Sequence, residues 1–387
     1  MSIGRNAVAV LGIASATLTA AAPSTEAVAG ARWRLDDLPV QGRANLVGVT
    51  AISHDDAWAV GFTVPEKAAA NPAVVAADQC DAAHLPSLAL HWDGTSWRQA
   101  SVPSLGRIGS VSASGHRNVW AAADCGVLRW NGRAWTATSP VPIQGTDGYY
   151  YSGIKAISAY DVWLSGFAWE DTTGNTRGFV QHWDGARWRL VTLPALGDDF
   201  DISGVDARGS QDVWIAGTDY TDKEASGERM VILHWNGHSW KRFAAPATTM
   251  VIQRVSRIRA VARDDVWIAG MGQRDPYGSD IDRPLIFHWD GATWTDTHAP
   301  EERGDLRDIA ADGRIVLAAG DTYSPLNETY EAYARRWTAD GWTPAAVPVP
   351  GLASITALAP VPGGGMWAVG SSGDTATMRP FIALAQR

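Results

Sequence analysis

The amino-acid sequence predicts an all-β fold assembled from seven copies of one unit of about 50 residues. One phrase of the type Asp-Val-Trp-x-x-Gly recurs along the chain and places tryptophans at Trp58, Trp120, Trp163, Trp214, Trp267 and Trp367. A seventh copy, IVLAAG, has Leu317 at the tryptophan position. A second phrase, His-Trp-Asp-Gly or a close variant, follows the first in most copies. Self-similarity at this period is the sequence signature of a repeat protein.

Each unit reads as four short strands. An apolar run such as 48–52 comes first, and a polar turn separates it from the strand with the recurring tryptophan. The third run ends in Asp-Gly or Asn-Gly, which predicts a tight hairpin because both residues of that turn need positive φ. A fourth run then opens on a further tryptophan: Trp97, Trp135, Trp188, Trp240, Trp294 and Trp342. Seven such units predict a seven-bladed β-propeller of four-stranded antiparallel blades, whereas a parallel β-helix has shorter repeats without regular Asp-Gly hairpins.

The two ends of the chain predict how the ring closes. The seventh unit ends with the run 381–384 and has no fourth strand. Near the other end, ARWRL at 31–35 is identical to ARWRL at 186–190, which is the fourth strand of the third unit. We therefore expect residues 31 to about 40 to be the outer strand of the last blade, which removes an open sheet edge. Residues 30–387 then form a single seven-bladed domain.

The first 29 residues read as a secretory signal peptide. Arg5 supplies a positive charge, residues 7–22 form a small-residue apolar stretch, and Ala27-Val28-Ala29 fits a small-x-small cleavage site. The stretch is short and rich in Ala, Ser and Thr, which disfavours an N-terminal anchor, and no later run is apolar enough to span a bilayer. We expect cleavage before Gly30 and a secreted, extracellular protein.

The net charge argues against two classes of partner. It is −9, from 32 Lys and Arg against 41 Asp and Glu. Nucleic-acid binding needs basic patches that neutralise phosphates, and anionic membrane surfaces attract basic segments. We therefore expect no nucleic-acid partner and no membrane insertion, and we expect a monomer.

The two cysteines of the chain, Cys80 and Cys125, both follow the second strand of their units, and these units are adjacent. An exported chain meets oxidising conditions, so the two loops are predicted to be joined by a disulfide. That bond would hold the longest loop of the first unit to its neighbour. Two free, buried thiols are the alternative.

The DVWxxG and HWDGxxW phrases together resemble those of secreted bacterial propellers in the broad kelch and galactose-oxidase-like superfamily. The resemblance covers nearly all of the chain after the signal peptide; it implies the propeller fold and no particular function. A kelch unit carries Gly-Gly after its second strand, where this chain usually has one glycine. Galactose-oxidase copper chemistry needs a Tyr–Cys crosslink and two histidines, and no matching set is found, so we expect no cofactor.

Most tryptophans occupy fixed repeat positions, where their simplest role is to fill the space between adjacent sheets. Four histidines precede the tryptophan of the third strand: His91, His182, His234 and His288. Equivalent positions on a ring lie far apart, whereas the ligands of a zinc ion all lie within about 2.0–2.2 Å of it. These histidines are therefore predicted to be hydrogen-bond donors that close each blade, and no metal site is predicted.

The first strands carry charges at matched positions. Lys155, Asp206 and Arg259 share one position in units three, four and five, and Arg257 and Asp308 share another in units five and six. Opposite charges at matched positions of neighbouring blades are expected to form ion pairs beside the central channel. The alternative is that they form a charged floor for a ligand in the channel.

The variable loops are the expected functional region. Loop lengths vary mainly between strands two and three and between one unit and the next, and in a propeller both connections lie on one face. These loops are acidic and rich in tyrosine from unit three to unit six, which suits hydroxyl-rich or cationic ligands, although an ordinary solvated face is the alternative. The candidate ligand-binding residues are Tyr149, Tyr150, Tyr151, Trp169, Asp219, Tyr220, Arg274, Asp275, Tyr277, Asp321 and Tyr323.

The sequence favours a secreted recognition module that binds a glycan, a cell-envelope polymer or a protein on this face. Gly-x-Ser-x-Gly, His-Glu-x-x-His and Gly-rich phosphate loops are absent from the sequence, and no catalytic residue is assigned. The alternative is an exported polysaccharide-degrading enzyme, a glycosidase or lyase, that uses carboxylates and tyrosines on the same face. Hydrolysis would need two carboxyl groups about 5–5.5 Å or 6.5–9.5 Å apart. A purely structural envelope protein is the third possibility.

Overall fold

The computed structural model describes residues 32–65, 85–221, 227–275, 281–300, 302–324, 329–374 and 376–386. In these ranges the chain forms strands that we number β1 to β28 in chain order. The strands group into seven four-stranded antiparallel sheets, and these are the blades of a propeller ring. The predicted fold is therefore confirmed. The same ranges contain no helix with the length and apolar character needed to cross a bilayer.

The first four blades each use four consecutive strands, from the channel outwards. Blade one contains β2 (Arg43–Ser53), β3 (Asp56–Val64), β4 (Ser87–Trp92) and β5 (Trp97–Gln99). Blade two contains β6 (Ile108–Gly115), β7 (Asn118–Ala123), β8 (Gly126–Trp130) and β9 (Trp135–Thr138). Blade three contains β10 (Gly148–Ser158), β11 (Asp161–Trp169), β12 (Thr176–Trp183) and β13 (Trp188–Leu190). Blade four contains β14 (Gly204–Gly209), β15 (Asp212–Asp219), β16 (Arg229–Trp235) and β17 (Trp240–Phe243).

The remaining blades follow the same order, except that the last one borrows a strand. Blade five contains β18 (Ile252–Ala262), β19 (Asp265–Gln273), β20 (Arg283–Trp289) and β21 (Trp294–Asp296). Blade six contains β22 (Asp305–Ala311), β23 (Val316–Ser324), β24 (Thr329–Thr338) and β25 (Gly341–Pro344). Blade seven contains β26 (Ala353–Pro360), β27 (Met366–Ser372), β28 (Arg379–Gln386) and, as its outer strand, β1 (Arg32–Leu35).

The ring closes through the N-terminal strand, as the sequence predicts. β1 pairs antiparallel with β28 and places Trp33 opposite Ala385. The chain then passes to blade one, where the Trp97 indole nitrogen donates a hydrogen bond of 3.1 Å to Asp36. Leu38 and Val40 pack against the apolar cluster between blades seven and one. The two ends of the chain thus build one sheet together, and the ring has no open seam.

Tryptophans fill the space between neighbouring blades, as predicted. Trp58 of blade one is almost fully buried, and its ring centroid lies 5.0 Å from Trp130 and 5.1 Å from Trp135 of blade two. The same contact recurs at the closure, where Trp367 of blade seven packs on Trp92 and Trp97 of blade one. Each such indole is buried by two sheets at once, so the apolar core of this protein lies between blades and not within them.

The aspartate of the Asp-Val-Trp phrase holds the strands of its blade together. In blade three, Asp161 accepts a hydrogen bond of 3.0 Å from the Trp163 indole and lies 2.8 Å from the His182 ring nitrogen. The other three histidines bond in the same way, at 2.9–3.0 Å, to the aspartate of their own blade: His91 to Asp56, His234 to Asp212 and His288 to Asp265. The predicted hydrogen-bonding role of these histidines is confirmed.

The predicted signal peptide and the predicted disulfide fall wholly or partly outside the described residues. Residues 1–29, predicted to be a signal peptide, lie outside them. Cys80 also lies outside them, so its disulfide with Cys125 stays a prediction. Cys125 itself lies in the turn between β7 and β8, where its amide donates a hydrogen bond of 2.9 Å to the carbonyl of Leu105. The described part of the chain has no free cysteine.

We predict that a chain beginning at residue 41 is less stable than one beginning at Gly30. The shorter chain leaves β28 as an open edge and uncovers the apolar contacts of Trp33, Leu38 and Val40. Three partly buried apolar side chains correspond to roughly 3–5 kcal/mol, since full burial of one contributes about 1.5–3 kcal/mol. Thermal melting should show a fall of at least about 5 °C. Restoration of stability by a peptide of residues 30–41, added in excess, is the control, and an unchanged melting temperature would disprove this mode of closure.

Candidate functional site

The first strands share a β-bulge at one level of the channel. In six blades the pairing of the first strand with the second skips one residue of the first strand at this level. The skipped residues are Val47, Gly109, Ser152, Ser256, Arg307 and Thr356. In blade four, Ser203 directly precedes β14 and takes the equivalent place. A bulge re-aims one side chain out of the regular pairing. All seven residues line one opening of the central channel, a cavity of about 510 Å³ that we call the channel mouth.

The bulges explain the glycine that ends the Asp-Val-Trp-x-x-Gly phrase. Each glycine lies against the first strand just before its bulge, so that an added Cβ would lie only 1.9–2.2 Å from a backbone carbonyl oxygen: Gly61, Gly166, Gly217, Gly270, Gly320 and Gly370. No side chain fits at that distance. In blade two, β6 begins only one residue before its bulge, and Ala123 takes the glycine position. The repeated glycine therefore makes room for the bulge that shapes the mouth.

Tyr150 of β10 covers one side of the mouth. Its ring lies over Gly109 of blade two, where an added Cβ would be 3.1 Å from the tyrosine hydroxyl. Burial raises the pKa of Tyr150, while the positive charges of Arg107 and Arg257 oppose the rise. Among the described residues its hydroxyl has no hydrogen-bond partner. Tyr150 therefore presents an unused polar group to the mouth from a ring that packing holds in place.

Below the mouth, the first strands enclose a second cavity of about 270 Å³, the channel floor. The predicted inter-blade ion pairs are confirmed here. Lys155 lies 2.5 Å from Asp206, and Arg257 lies 3.4 Å from Asp308. Arg259 also reaches into blade six, where its guanidinium bonds both oxygens of Asp308 at 3.0 and 3.1 Å. These pairs cross from one blade to the next and add to the apolar packing and the hydrogen bonds that join neighbouring sheets.

A smaller cavity of about 190 Å³ opens beside the mouth over blades five and six, and we call it the acidic pocket. Arg307 lies between the two cavities and lines both. Its guanidinium is 3.1 Å from Asp305 and 3.2 Å from Asp321. The hydroxyl of Ser354 in blade seven also donates to Asp321, at 2.6 Å. The pocket is lined by Asp282, Arg303, Gly304, Asp305, Arg307, Asp321, Tyr323 and Tyr330.

Asp305 has an unusual environment for a carboxyl group. Burial raises its pKa to about 6; Arg307 opposes the rise, and the neighbouring carboxylates of Asp321 and Asp282 add to it. A carboxyl group with this pKa exists in both protonation states near neutral pH, so it can donate as well as accept a hydrogen bond. Perturbed titration inside a cleft is typical of functional sites. No group of His, Cys, Asp or Glu in the described ranges has the arrangement of a metal site.

Tyr323 and Tyr330 form the aromatic wall of the acidic pocket. Their ring centroids are 5.3 Å apart at an interplanar angle of 48°. They are 37% and 51% exposed, which is unusual for large side chains in this protein. An exposed ring beside carboxylates can pack on the apolar face of a ligand while the carboxylates bind its polar edge.

Other candidates in blade three pack against the scaffold. Side chains alternate along β10, so Tyr149 and Tyr151 face away from Tyr150 and pack on the core between blades two and three. Tyr151 is buried and makes an edge contact with Phe179. Trp169 lies across Gly148 and lines neither the channel mouth nor the acidic pocket.

Asp219 and Tyr220 have local partners at the end of β15. Asp219 accepts a hydrogen bond of 3.0 Å from the Thr221 amide and lies 3.6 Å from Arg242. The Tyr220 hydroxyl donates to Asp201 at 2.7 Å. Burial raises the pKa of Tyr220, and the negative charge of Asp201 adds to the rise. These contacts and the bond from the Thr221 hydroxyl to the Asp199 carbonyl hold the end of β15 against the segment that leads into blade four.

In blade five, Arg274 and Asp275 line neither the mouth nor the acidic pocket, and both have partners of their own. Tyr277 lies outside the described residues. The candidates that the structure brings to the mouth and the acidic pocket are Tyr150, Asp321 and Tyr323.

Sequence reasoning missed Asp305 and Arg307 as site residues. It assigned Arg257 to an inter-blade ion pair, with a charged floor for a ligand in the channel as the alternative. The Arg307 side chain points into the mouth because the pairing of β22 with β23 skips residue 307. The alternation of apolar residues along the sequence does not reveal this skip. A signal was present, because Asp-Leu-Arg-Asp at 305–308 places three charges in a first strand that is mostly small and apolar in units one and two.

A larger cavity of about 680 Å³ lies between blades three and four. Its lining is mainly apolar and includes Pro142, Leu193 and Phe200. Two of its three charged residues, Glu170 and Arg177, bind each other at 2.8 Å, and Asp198 is the third. This cavity offers little polar chemistry to orient a ligand, so we place the candidate site at the channel mouth and the acidic pocket.

No protein-family model matches this chain, and no curated protein matches it either. Solved structures do match its fold. The chain is similar to YCF48 bound to D1 peptide, with 14% identity and a TM-score of 0.55 over 92% of this chain and 95% of that one. The resemblance to the kelch and galactose-oxidase-like superfamily stays a prediction.

The chain is also similar to the solved structures of a polysaccharide lyase and of a xyloglucanase. A polysaccharide lyase of family PL25, an ulvan lyase bound to -[GlcA(1-4)Rha3S]-, has 8% identity and a TM-score of 0.56 over 90% of this chain and 95% of that one. The GH74 xyloglucanase from Xanthomonas campestris has 14% identity and a TM-score of 0.51 over 91% of this chain and 55% of that one. At these identities the similarity shows the propeller fold alone.

We predict that Gly270→Ala destabilises the protein, because its Cβ would lie 1.9 Å from the Arg254 carbonyl oxygen beside the bulge at Ser256. Displacement of that backbone should cost roughly 1–3 kcal/mol, as in other overpacked sites. Gly209→Ala is the matched control, since nothing lies within 4 Å of its added Cβ. Thermal melting of both variants checks the prediction, and equal melting temperatures would refute the link between glycine and bulge.

Proposed function

We propose that this protein is an exported recognition module that binds a hydroxyl-rich ligand, a glycan or a cell-envelope polymer, across the channel mouth and the acidic pocket. The observation that carries the proposal is the continuity of these two cavities. Arg307 lines both, with an exposed pair of tyrosines on its outer side and the ring of bulge residues on its inner side. A ligand lying on Arg307 would therefore contact aromatic, anionic and cationic groups together.

The chemistry of the site supports a hydroxyl-rich ligand. Sugar rings have an apolar face and a polar edge, and the wall formed by Tyr323 and Tyr330 provides a surface for the apolar face. Carboxylates and arginine side chains accept and donate hydrogen bonds to paired hydroxyls. The overall charge of −9 and the acidic pocket give no basis for a nucleic-acid ligand. A solvated face without function would not need the buried carboxyl group of Asp321 or the largely buried one of Asp305.

A polysaccharide-degrading enzyme is the second candidate, and Asp305 favours it. A general acid or base works best when its pKa lies near the operating pH, and burial raises the pKa of Asp305 to about 6. Asp321 lies opposite Asp305 in the pairing of β22 with β23, so a second carboxyl group is at hand. Among the similar structures, one propeller is a polysaccharide lyase and another is bound to a peptide. We rank binding first because Arg307 already engages both carboxyl groups.

We predict that the chain from residue 30 onwards binds members of a glycan array and that Tyr330→Ala weakens this binding about tenfold, equivalent to 1.4 kcal/mol, because half of the aromatic wall is lost. Tyr160→Ala is the matched control. Tyr160 is 72% exposed in the turn between β10 and β11, on the opposite face of the ring. Equal loss in both variants, or no binding to any glycan, would refute the proposal.

Release of reducing or unsaturated ends, measured on the bound polymers, separates the two candidates. Binding without turnover supports the recognition module. Turnover that Asp305→Asn abolishes, with a pH profile that changes near 6, supports the enzyme. Binding to a protein array with no binding to glycans would replace the glycan with a protein ligand.

Export is part of the proposal and has its own test. We predict that protein recovered from outside the cell begins at Gly30, because the small-x-small sequence at 27–29 directs cleavage there. Cleavage at that point keeps β1, which begins at Arg32, and so leaves the ring able to close. N-terminal sequencing and intact mass check this prediction. A chain retained in the cell with Met1 in place would contradict it.

A further inference from the structure

Arg257 occupies an unusual position between the channel mouth and the channel floor. It directly follows the bulge residue Ser256 and is the one charged side chain that lines both cavities. The side chain is 16% exposed, so it is largely removed from bulk solvent. Burial lowers the pKa of the Arg257 guanidinium, Asp308 opposes this, and the charge of Arg259 adds to it. A second negative group beside Arg257 would therefore be favourable.

The carboxylate nearest to Arg257 is already fully used. Asp308 accepts two hydrogen bonds from Arg259, at 3.0 and 3.1 Å, and one each from the backbone amides of Ile309 and Leu358, at 2.8 and 2.9 Å. Arg257 reaches it only at 3.4 Å, and its Nε has no hydrogen-bond partner in the described part of the chain. Arg257 is therefore a buried cation with unused donors.

The charges on the wall of the channel floor do not balance. Its cations are Lys155, Arg257 and Arg259, and its carboxylates are Asp206 and Asp308. Lys155 pairs with Asp206 at 2.5 Å, and Arg259 pairs with Asp308. One positive charge is left over at Arg257, although the protein as a whole carries a net charge of −9. A surplus buried cation is costly unless an anion neutralises it.

Two hydroxyl groups near Arg257 also have no partner. The described residues provide no hydrogen bond to the Tyr150 hydroxyl or to the Ser256 hydroxyl, although both side chains line the mouth. The neighbouring hydroxyls are occupied: Ser152 bonds the carbonyl of Ile202, and Ser354 bonds Asp321. The open donors thus reach the mouth from blade three, at Tyr150, and from blade five, at Ser256 and Arg257.

We propose that the channel mouth binds an oxyanion group carried by a sugar, with Arg257 as its ion partner and the hydroxyls of Tyr150 and Ser256 as hydrogen-bond donors. The proposal deepens and rests on the proposed function, because the same ligand would extend from the mouth over Arg307 into the acidic pocket. A carboxylate, a sulfate and a phosphate share this chemistry. A sugar is favoured over an acidic peptide because the acidic pocket beside the mouth repels further carboxylates while its groups can bind hydroxyls.

The test compares sugars that differ only at carbon 6, where each acid carries an oxyanion group and glucose carries a hydroxyl. Sodium D-glucuronate, D-glucose 6-sulfate and D-glucose 6-phosphate are each titrated against D-glucose at constant ionic strength, by calorimetry on the chain from residue 30 onwards. We expect at least one acid to bind about tenfold more tightly than glucose, as a charge-assisted hydrogen bond in a shielded site implies. The tightest of the three identifies the oxyanion. No preference for any acid over glucose overturns the proposal.

Arg257→Gln should bind the preferred acid no more tightly than glucose. The variant is expected to fold, because Asp308 keeps Arg259 and both backbone amides. Arg177→Gln is the matched control. Arg177 lies on the same loop face, pairs with Glu170, and lines neither the mouth nor the acidic pocket. This control variant should keep the wild-type preference. Retention of the preference by Arg257→Gln overturns the proposal.

Two milder variants keep the proposal testable if Arg257→Gln does not fold. Tyr150→Phe and Ser256→Ala each remove one hydroxyl, and each should weaken the acid about threefold without changing the binding of glucose. If both variants bind the acid as tightly as the wild type, the proposal is overturned. It is also overturned if N-acetyl-L-glutamate binds more tightly than every sugar acid. Polymer binding that depends on Tyr330 but not on Arg257 overturns this inference alone, whereas acid binding at Arg257 without polymer binding overturns the proposed function alone.

Discussion

A blade of four short strands cannot cover its own apolar faces, so every blade of this ring depends on the two blades beside it. The tryptophan of the second strand meets this requirement by packing into the next blade. In blades three, four and five the aspartate two residues earlier accepts a hydrogen bond from its indole nitrogen, as with Asp161 and Trp163. An unclosed ring would leave one such face in water on each side of the gap. The strand β1 removes that gap, which makes the stability of each blade conditional on the stability of all of them.

The same strands carry both the repeating scaffold and the site that does not repeat. Glycine in the second strand lets the first strand approach and bulge, and the bulge turns one side chain per blade away from the pairing and into the mouth. Strand pairing within the blade does not use that side chain, although those of Ser152 and Thr356 donate hydrogen bonds to carbonyl oxygens of the neighbouring blade. The position can therefore be Val47, Gly109 or Arg307 without any change of fold, so ligand chemistry can vary while the ring stays constant.

Features of the fold and of the candidate site could be predicted from the sequence where they depend on positions that recur in every repeat unit. The closure by residues 31–35 and the pairing of Lys155 with Asp206 follow from matched positions, and the structure confirms both. The direction of the three consecutive tyrosines does not, because a shift of one residue in register exchanges the two faces of a strand. Only Tyr150 of these three faces the mouth, and Arg307 reaches it through a bulge. Sequence reasoning therefore pointed to the face that holds the candidate site but identified only part of that site.

The residues at equivalent positions of the seven blades show which side chains the ring requires for packing and which ones are particular to the channel mouth. The residues that match Arg257 in other blades are mostly small, for example Gly48, Gly153 and Ala357. Such residues satisfy the packing of the first strands, so an arginine at this position is not required by the ring. Replacing a buried ion pair with apolar residues is often neutral or stabilising, and Arg257 makes only a distant contact with a carboxylate that has four other bonds. The ion pair with Asp308 therefore gives stability little need of this charge, whereas an anion that approaches from the mouth would use it fully.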